Sequence, residues 1–105
     1  MARKNLVPIR LPTHPGAILR EDVLPALDMS ISDVARALGI SRQQLQRILA
    51  ETAPITPQMA LRIGKFCGNG PEVWLRMQVT CDLWHARHDM AGKLDCIPTV
   101  KANAA

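Results

Sequence analysis

Apolar residues recur at helical spacing along most of this chain. Ile18, Leu19, Val23, Leu24 and Leu27 form a broad stripe, with Arg20, Glu21, Asp22 and Asp28 on the wet side. They predict a first helix starting near residues 13–15, where a proline in the first turn loses no needed hydrogen bond. Pro25 lies inside that stripe, where it removes one bond and presses on the preceding turn, so the helix should kink or end there. Ser30 with Asp33 three residues on has the spacing of a short-armed capping box and opens a second helix. Ser41 caps a third, from residue 42 to about residue 50. Thr56-Pro57 is a start signal for a fourth over 57–67, with Met59, Ala60, Ile63 and Phe66 as its apolar stripe. Gly68-Asn69-Gly70-Pro71 reads as a turn into a fifth helix over 71–91. Glu72 there lies near the positive helix end. Trp74, Met77, Cys81 and Leu83 can fill its core-facing side, and Gly92 stops it. No strand-period segment is longer than the first dozen residues, so the fold class is all-α with five helices.

Residues 31–49 organise the rest. Val34, Leu38, Ile40, Leu45 and Ile48 supply apolar positions around Ala35 and Gly39. Two short helices that cross closely need one small contact residue, which Ala35 provides. The chain then turns sharply at Gly39, where a left-handed backbone costs glycine little. On a wheel of about 100° per residue, Leu45, Ile48 and Leu49 share one face of the third helix. Arg42, Gln43, Gln46 and Arg47 share the opposite face. Arginine suits guanine O6/N7 and glutamine suits adenine N6/N7, so this face has the chemistry to enter a major groove. The same four residues are also good helix formers that would suit a plain solvated face.

Composition narrows the field. A chain of 105 residues fits one domain. We divide it into a basic extended arm (1–12, with Arg3, Lys4 and Arg10), the helical domain (13–91) and a flexible tail (92–105). Aromatic residues are only 3%, Trp74, Trp84 and Phe66, too few for rows of base-stacking platforms on single strands. The formal charge of +4 is compatible with a nucleic-acid partner. Cys67, Cys81 and Cys96 are widely spaced, without a zinc-type pair, and read as reduced thiols of the cytoplasm. No run reaches the roughly 18 apolar residues of a membrane span, and residues 1–12 make no convincing signal peptide.

Four segments then carry a resemblance: HPGAIL at 14–19, the helix-turn-helix at 31–49, ITPQMALRIGKFCG at 55–68 and GPEVWLRMQVTCDL at 70–83. In this order they resemble HigA-type (VapI-like) antitoxins within the Xre/Cro-type helix-turn-helix proteins. The resemblance covers residues 14–87. It implies a lambda-repressor-like DNA-binding domain and a homodimer on a two-fold, double-stranded operator. It also implies a partner toxin similar to HigB/RelE-type endoribonucleases that cut mRNA. Binding would silence the toxin and repress the shared operon. The exposed recognition-helix positions of the family fall on Arg42, Gln43, Gln46 and Arg47, and a frequent phosphate contact falls on Ser41. Thr52 joins them as a backbone-positioning residue. Two departures stand out. Ile31 occupies a position where relatives commonly have a phosphate-binding glutamine. Ala50-Glu51-Thr52-Ala53 replaces a basic loop, and Glu51 would repel phosphate. Weaker or more salt-sensitive DNA binding is expected, unless the arm compensates.

Helix five should pair the subunits through Trp74, Met77, Cys81 and Trp84, since aromatic residues anchor interfaces. For Trp84 the competing expectation is packing within its own chain. Cys81, His85 and His88 share a helix face at a spacing that could ligate zinc, but no fourth ligand is aimed at them. No metal or cofactor is therefore expected. Met29, Met59, Met77 and Met90 read as core filler. The histidines lack a paired nucleophile and there is no glycine-rich phosphate loop, so a non-enzyme is expected. Two rival readings stay open: a stand-alone Xre-family regulator, and a protein-interaction module that has lost DNA binding.

Overall fold

The computed structural model describes residues 12–100. The basic-arm expectation for residues 1–12 therefore falls almost wholly outside the described residues, as does the end of the tail, 101–105. Five helices, α1 (Pro15–Ile18), α2 (Ile31–Leu38), α3 (Arg42–Leu49), α4 (Pro57–Cys67) and α5 (Glu72–Asp89), make up the all-helical domain. Four of the five starts have a side-chain cap. His14 caps α1, its Nδ1 accepting from the Gly16 amide at 2.9 Å. Ser30, Ser41 and Thr56 accept from the amides of Asp33, Gln44 and Met59 at 3.1, 3.0 and 3.2 Å, so α2, α3 and α4 each open on a hydroxyl. The Asp33 carboxylate closes the α2 box in return. The Arg36 guanidinium at 2.8 Å and the Ser30 side chain and amide hold it below its ordinary titration range.

Pro25 acts as its position demands, with a more specific outcome than a simple kink. After Ile18 the helix widens to a π turn (Leu19–Val23) and then tightens to a 3-10 turn (Leu24–Ala26). The Leu24 amide reaches back to the Leu19 carbonyl, five residues away. The wider turn carries the chain past a residue that has no amide proton to give.

The core is one cluster. Leu19, Val34, Ala35, Leu38, Leu45, Ile48, Leu49, Ile55, Met59, Ala60, Ile63 and Trp74 are buried in it. α2, paired with α3, leans on α4, α4 packs along α5, and α1 lies across α3 and α5. Gly16 permits the α1–α3 approach, because a Cβ there would stand 1.9 Å from the Ile48 carbonyl oxygen. Gln78, buried at 6% exposure, was not anticipated. Its Oε1 accepts from the Ile55 amide at 2.7 Å and its Nε2 donates to Asp82 at 3.0 Å, tying the α3–α4 linker to α5.

Two expectations need correction. Leu83 does not face the core but is 45% exposed, because it lies roughly 160–180° around α5 from the buried Trp74 and Cys81, on the same side as the exposed Val79. From Asp82 onward every described residue except Trp84 is exposed. Met29 and Met90 are exposed rather than core filler, Met59 is buried and Met77 packs against the core edge. Within the tail, Leu94–Cys96 forms an exposed 3-10 turn.

Candidate nucleic-acid interface

The α2–α3 turn sets the pose of α3. Gly39 takes the left-handed conformation, φ +76°, and the Ile40 amide bonds back to the Ala35 carbonyl at 3.0 Å. Arg62 of α4 donates to the Leu38 and Gly39 carbonyls at 2.8 and 3.4 Å, fastening the turn from outside. A Cβ on Gly39 would meet that guanidinium at 2.7 Å, a contact the flexible end of Arg62 can relieve, so it is the left-handed backbone that calls for glycine here.

Leu45, Ile48 and Leu49 turn inward, at 1%, 1% and 7% exposure. Arg42, Gln43, Gln46 and Arg47 are all exposed, with Gln44 beside them. The buried face therefore fixes which side chains α3 presents: two cations and three amides, no carboxylate. Ser41 is also exposed. Its oxygen accepts from the Gln44 amide, which leaves the hydroxyl proton for an acceptor outside the protein. Thr52 differs. Its hydroxyl and its amide both donate to the Arg47 carbonyl, at 3.1 and 3.0 Å, so its one hydroxyl proton is already spent ending α3.

Glu51 sits at that same end with φ +64°, a conformation glycine adopts freely and an L side chain adopts at a cost of about 1–2 kcal/mol. Its carboxylate is bonded to Arg20 Nη1 at 3.1 Å. Arg20 Nη1 also donates to the Leu49 carbonyl at 2.7 Å, and Nη2 to Glu21 at 2.7 Å. Its hydrogen bonds to Glu21 first, and to Glu51 second, raise its pKa further. The acidic residue expected to repel phosphate is thus partly neutralised by its own first helical segment, a contact 31 residues away in sequence.

On α5 the residues expected to pair subunits divide. Trp74 and Cys81 are core, at 2% and 3% exposure, because they face α1 and α4 within the protomer. Trp74 Nε1 donates to Asn69 at 3.0 Å. Neither has much surface left to bury against a second copy. Met77 and Trp84 are half-buried. Trp84 stacks on His88 (centroids 3.9 Å apart, 25° between planes) and meets His85 edge-on at 5.2 Å. Val79 and Leu83, which were not singled out as interface residues, are 52% and 45% exposed. Their spacing of four residues was a readable signal.

The Cys81 thiol points away from a metal role. It donates to the Pro12 carbonyl at 3.3 Å. Burial, with the Asp82 and Glu51 charges adding, pushes its pKa up, so it stays protonated. Among the described residues, no grouping of three His, Cys, Asp or Glu side chains could hold a metal ion.

Residues 19–75 match the helix-turn-helix family. The chain belongs to the Xre-type helix-turn-helix family. It is 38% identical over 88 residues to virulence-associated protein I of Dichelobacter nodosus, covering 84% of this chain and 79% of that protein. Its fold is similar to an addiction module antidote protein of the HigA family from Coxiella burnetii. The two are 34% identical with a TM-score of 0.78, over 88% of this chain and 100% of that one. It is also similar to PA4674 of Pseudomonas aeruginosa, solved in complex with its operator DNA. There the identity is 30% and the TM-score 0.77, over 87% and 97% of the two chains. Among the described residues, no helix is long and apolar enough to cross a membrane.

Proposed function

We propose that this chain is an operator-binding antitoxin: a cytoplasmic homodimer that represses its own operon and neutralises a HigB/RelE-like mRNA-cleaving toxin. The observation that carries it is the outward face of α3. Arg42, Gln43, Gln46 and Arg47 stand exposed on a helix whose opposite face is locked into the core. In this reading they contact base edges, and Ser41 gives its proton to a phosphate at the helix start. The operator complex of the similar PA4674 supports the DNA half, and the likeness to HigA-family antidotes supports the toxin half.

The subunits pair along α5 through the exposed Val79 and Leu83, which share one face, while Met77 and Trp84 lie roughly 100–160° around the helix from them. This places two recognition helices about 34 Å apart, one turn of DNA. The protein acts by binding and carries out no catalytic step. His14 serves as a helix cap, and His85 and His88 flank Trp84.

Co-expression tests the reading. The open reading frame beside this gene should arrest growth when expressed alone, and this chain should restore it. A reporter fused to the upstream region should be repressed by the chain. Repression without a toxic neighbour would select the stand-alone regulator. Rescue without repression, and without DNA binding at low salt, would select the interaction module.

A further inference from the structure

One side chain joins three features around the end of α3. Arg20 leaves the π turn and places Nη1 against both the last carbonyl of α3 (Leu49, 2.7 Å) and the carboxylate of Glu51 (3.1 Å). The left-handed backbone at Glu51 fixes where that carboxylate emerges, two residues past the last turn that carries Arg47. Arg20 shares its one positive charge between Glu51 and, through Nη2 at 2.7 Å, Glu21; without it the Glu51 charge would stand unopposed at the rim of the face that carries Arg42, Gln43, Gln46 and Arg47. It would oppose the phosphate backbone there.

We infer that Arg20 is a positioning residue for operator binding, which draws the Glu51 carboxylate onto the α1–α3 junction and offsets part of its charge. Arg20 acts through Glu51 and touches no DNA. The inference rests on the operator-binding reading above. It assigns a role to a residue outside the helix-turn-helix and explains how an acidic residue is tolerated at the rim of a DNA-binding face.

The test is operator affinity across a salt series for the full chain, Arg20→Gln, Glu51→Gln and the double variant, on a duplex carrying the upstream two-fold sequence. A charge about 7 Å from a phosphate in a water-like dielectric changes affinity about threefold, hence about tenfold for a site bound by two subunits. Arg20→Gln should therefore weaken binding about tenfold at low salt, and the loss should shrink as salt rises. Glu51→Gln should bind as tightly as the unchanged chain or more so. In the Glu51→Gln background the Arg20→Gln change should cost clearly less than in the unchanged chain, because only the guanidinium's own charge is lost and no carboxylate is released. Arg20→Lys, which keeps the charge, should retain most of the affinity.

Equal losses in both backgrounds would overturn the inference, since Arg20 would then contact DNA itself or merely support the fold. Thermal unfolding of all four proteins separates those two. No effect of Arg20→Gln in either background would also overturn it. Absence of operator binding by the unchanged chain at low salt would remove the operator reading itself, and this inference with it.

Discussion

Replacing Gly16 with alanine sets two known effects against each other. Alanine in a helix is ordinarily favoured over glycine by about 1 kcal/mol, so the change would stabilise an unconstrained helix. Here the new Cβ would stand 1.9 Å from the Ile48 carbonyl oxygen and 3.0 Å from its carbon. Reaching even a tight 3.0 Å from the oxygen requires α1 and the end of α3 to part by about 1.1 Å. The obstacle is backbone, which cannot rotate aside, and that carbonyl already accepts the Glu51 amide at 3.0 Å. Overpacking of this kind costs about 1–3 kcal/mol, and parting the two segments also strains the Arg20 bond to Leu49. The clash should win by about 1 kcal/mol, lowering the thermal midpoint by about 4–8 °C. Thermal unfolding followed by circular dichroism measures this, with Ala17→Gly as a control that should lose no more than about 1 kcal/mol. A Gly16→Ala midpoint equal to or above that of the unchanged protein would refute the close approach of α1 to α3.

Other consequences are equally direct. Gln78→Leu should fill the same space but leave the Ile55 amide buried without an acceptor, costing about 1–3 kcal/mol in urea unfolding; a neutral result would mean that bond does not hold the linker. Asp33 titrates below its ordinary value of 3.8, so the stability it contributes is present above that pH and lost as pH falls through its lowered folded value. Asp33→Asn should flatten that part of the acid-unfolding profile, and an unchanged profile would count against the Ser30–Asp33–Arg36 arrangement. Arg47→Ala should reduce specific operator affinity by about 1–3 kcal/mol with no change in thermal midpoint, as a lost bidentate base contact would. Unchanged affinity would remove Arg47 from the reading face.

Much of the domain was legible because its boundaries are local. Ser30, Ser41 and Thr56 announce helix starts through their own hydroxyls, Gly39 announces the turn, and Leu45, Ile48 and Leu49 determine by spacing which side of α3 is buried. What was not legible is long-range. Gln78 to Ile55, Arg62 to Leu38 and Arg20 to Glu51 span 23, 24 and 31 residues, and no periodicity encodes such pairs. Leu83 misled for a related reason. It stands nine residues from Trp74 and two from Cys81, on the opposite side of α5, so its apolar character assigned it a core that its helical spacing does not reach. Thr52 has the right chemistry for a phosphate, yet its hydroxyl proton goes to the nearer Arg47 carbonyl.

The central claim is that α3 reads operator sequence. Fluorescence anisotropy on a labelled duplex from the upstream region, against a scrambled duplex of equal length and composition, tests it most directly. The comparison pairs the unchanged chain with the Gln43→Ala/Arg47→Ala double variant. The account predicts preference of the unchanged chain for the upstream duplex, and loss of that preference in a double variant that still unfolds at the same temperature. Equal affinity of the unchanged chain for both duplexes, or full preference retained by the folded double variant, would contradict it.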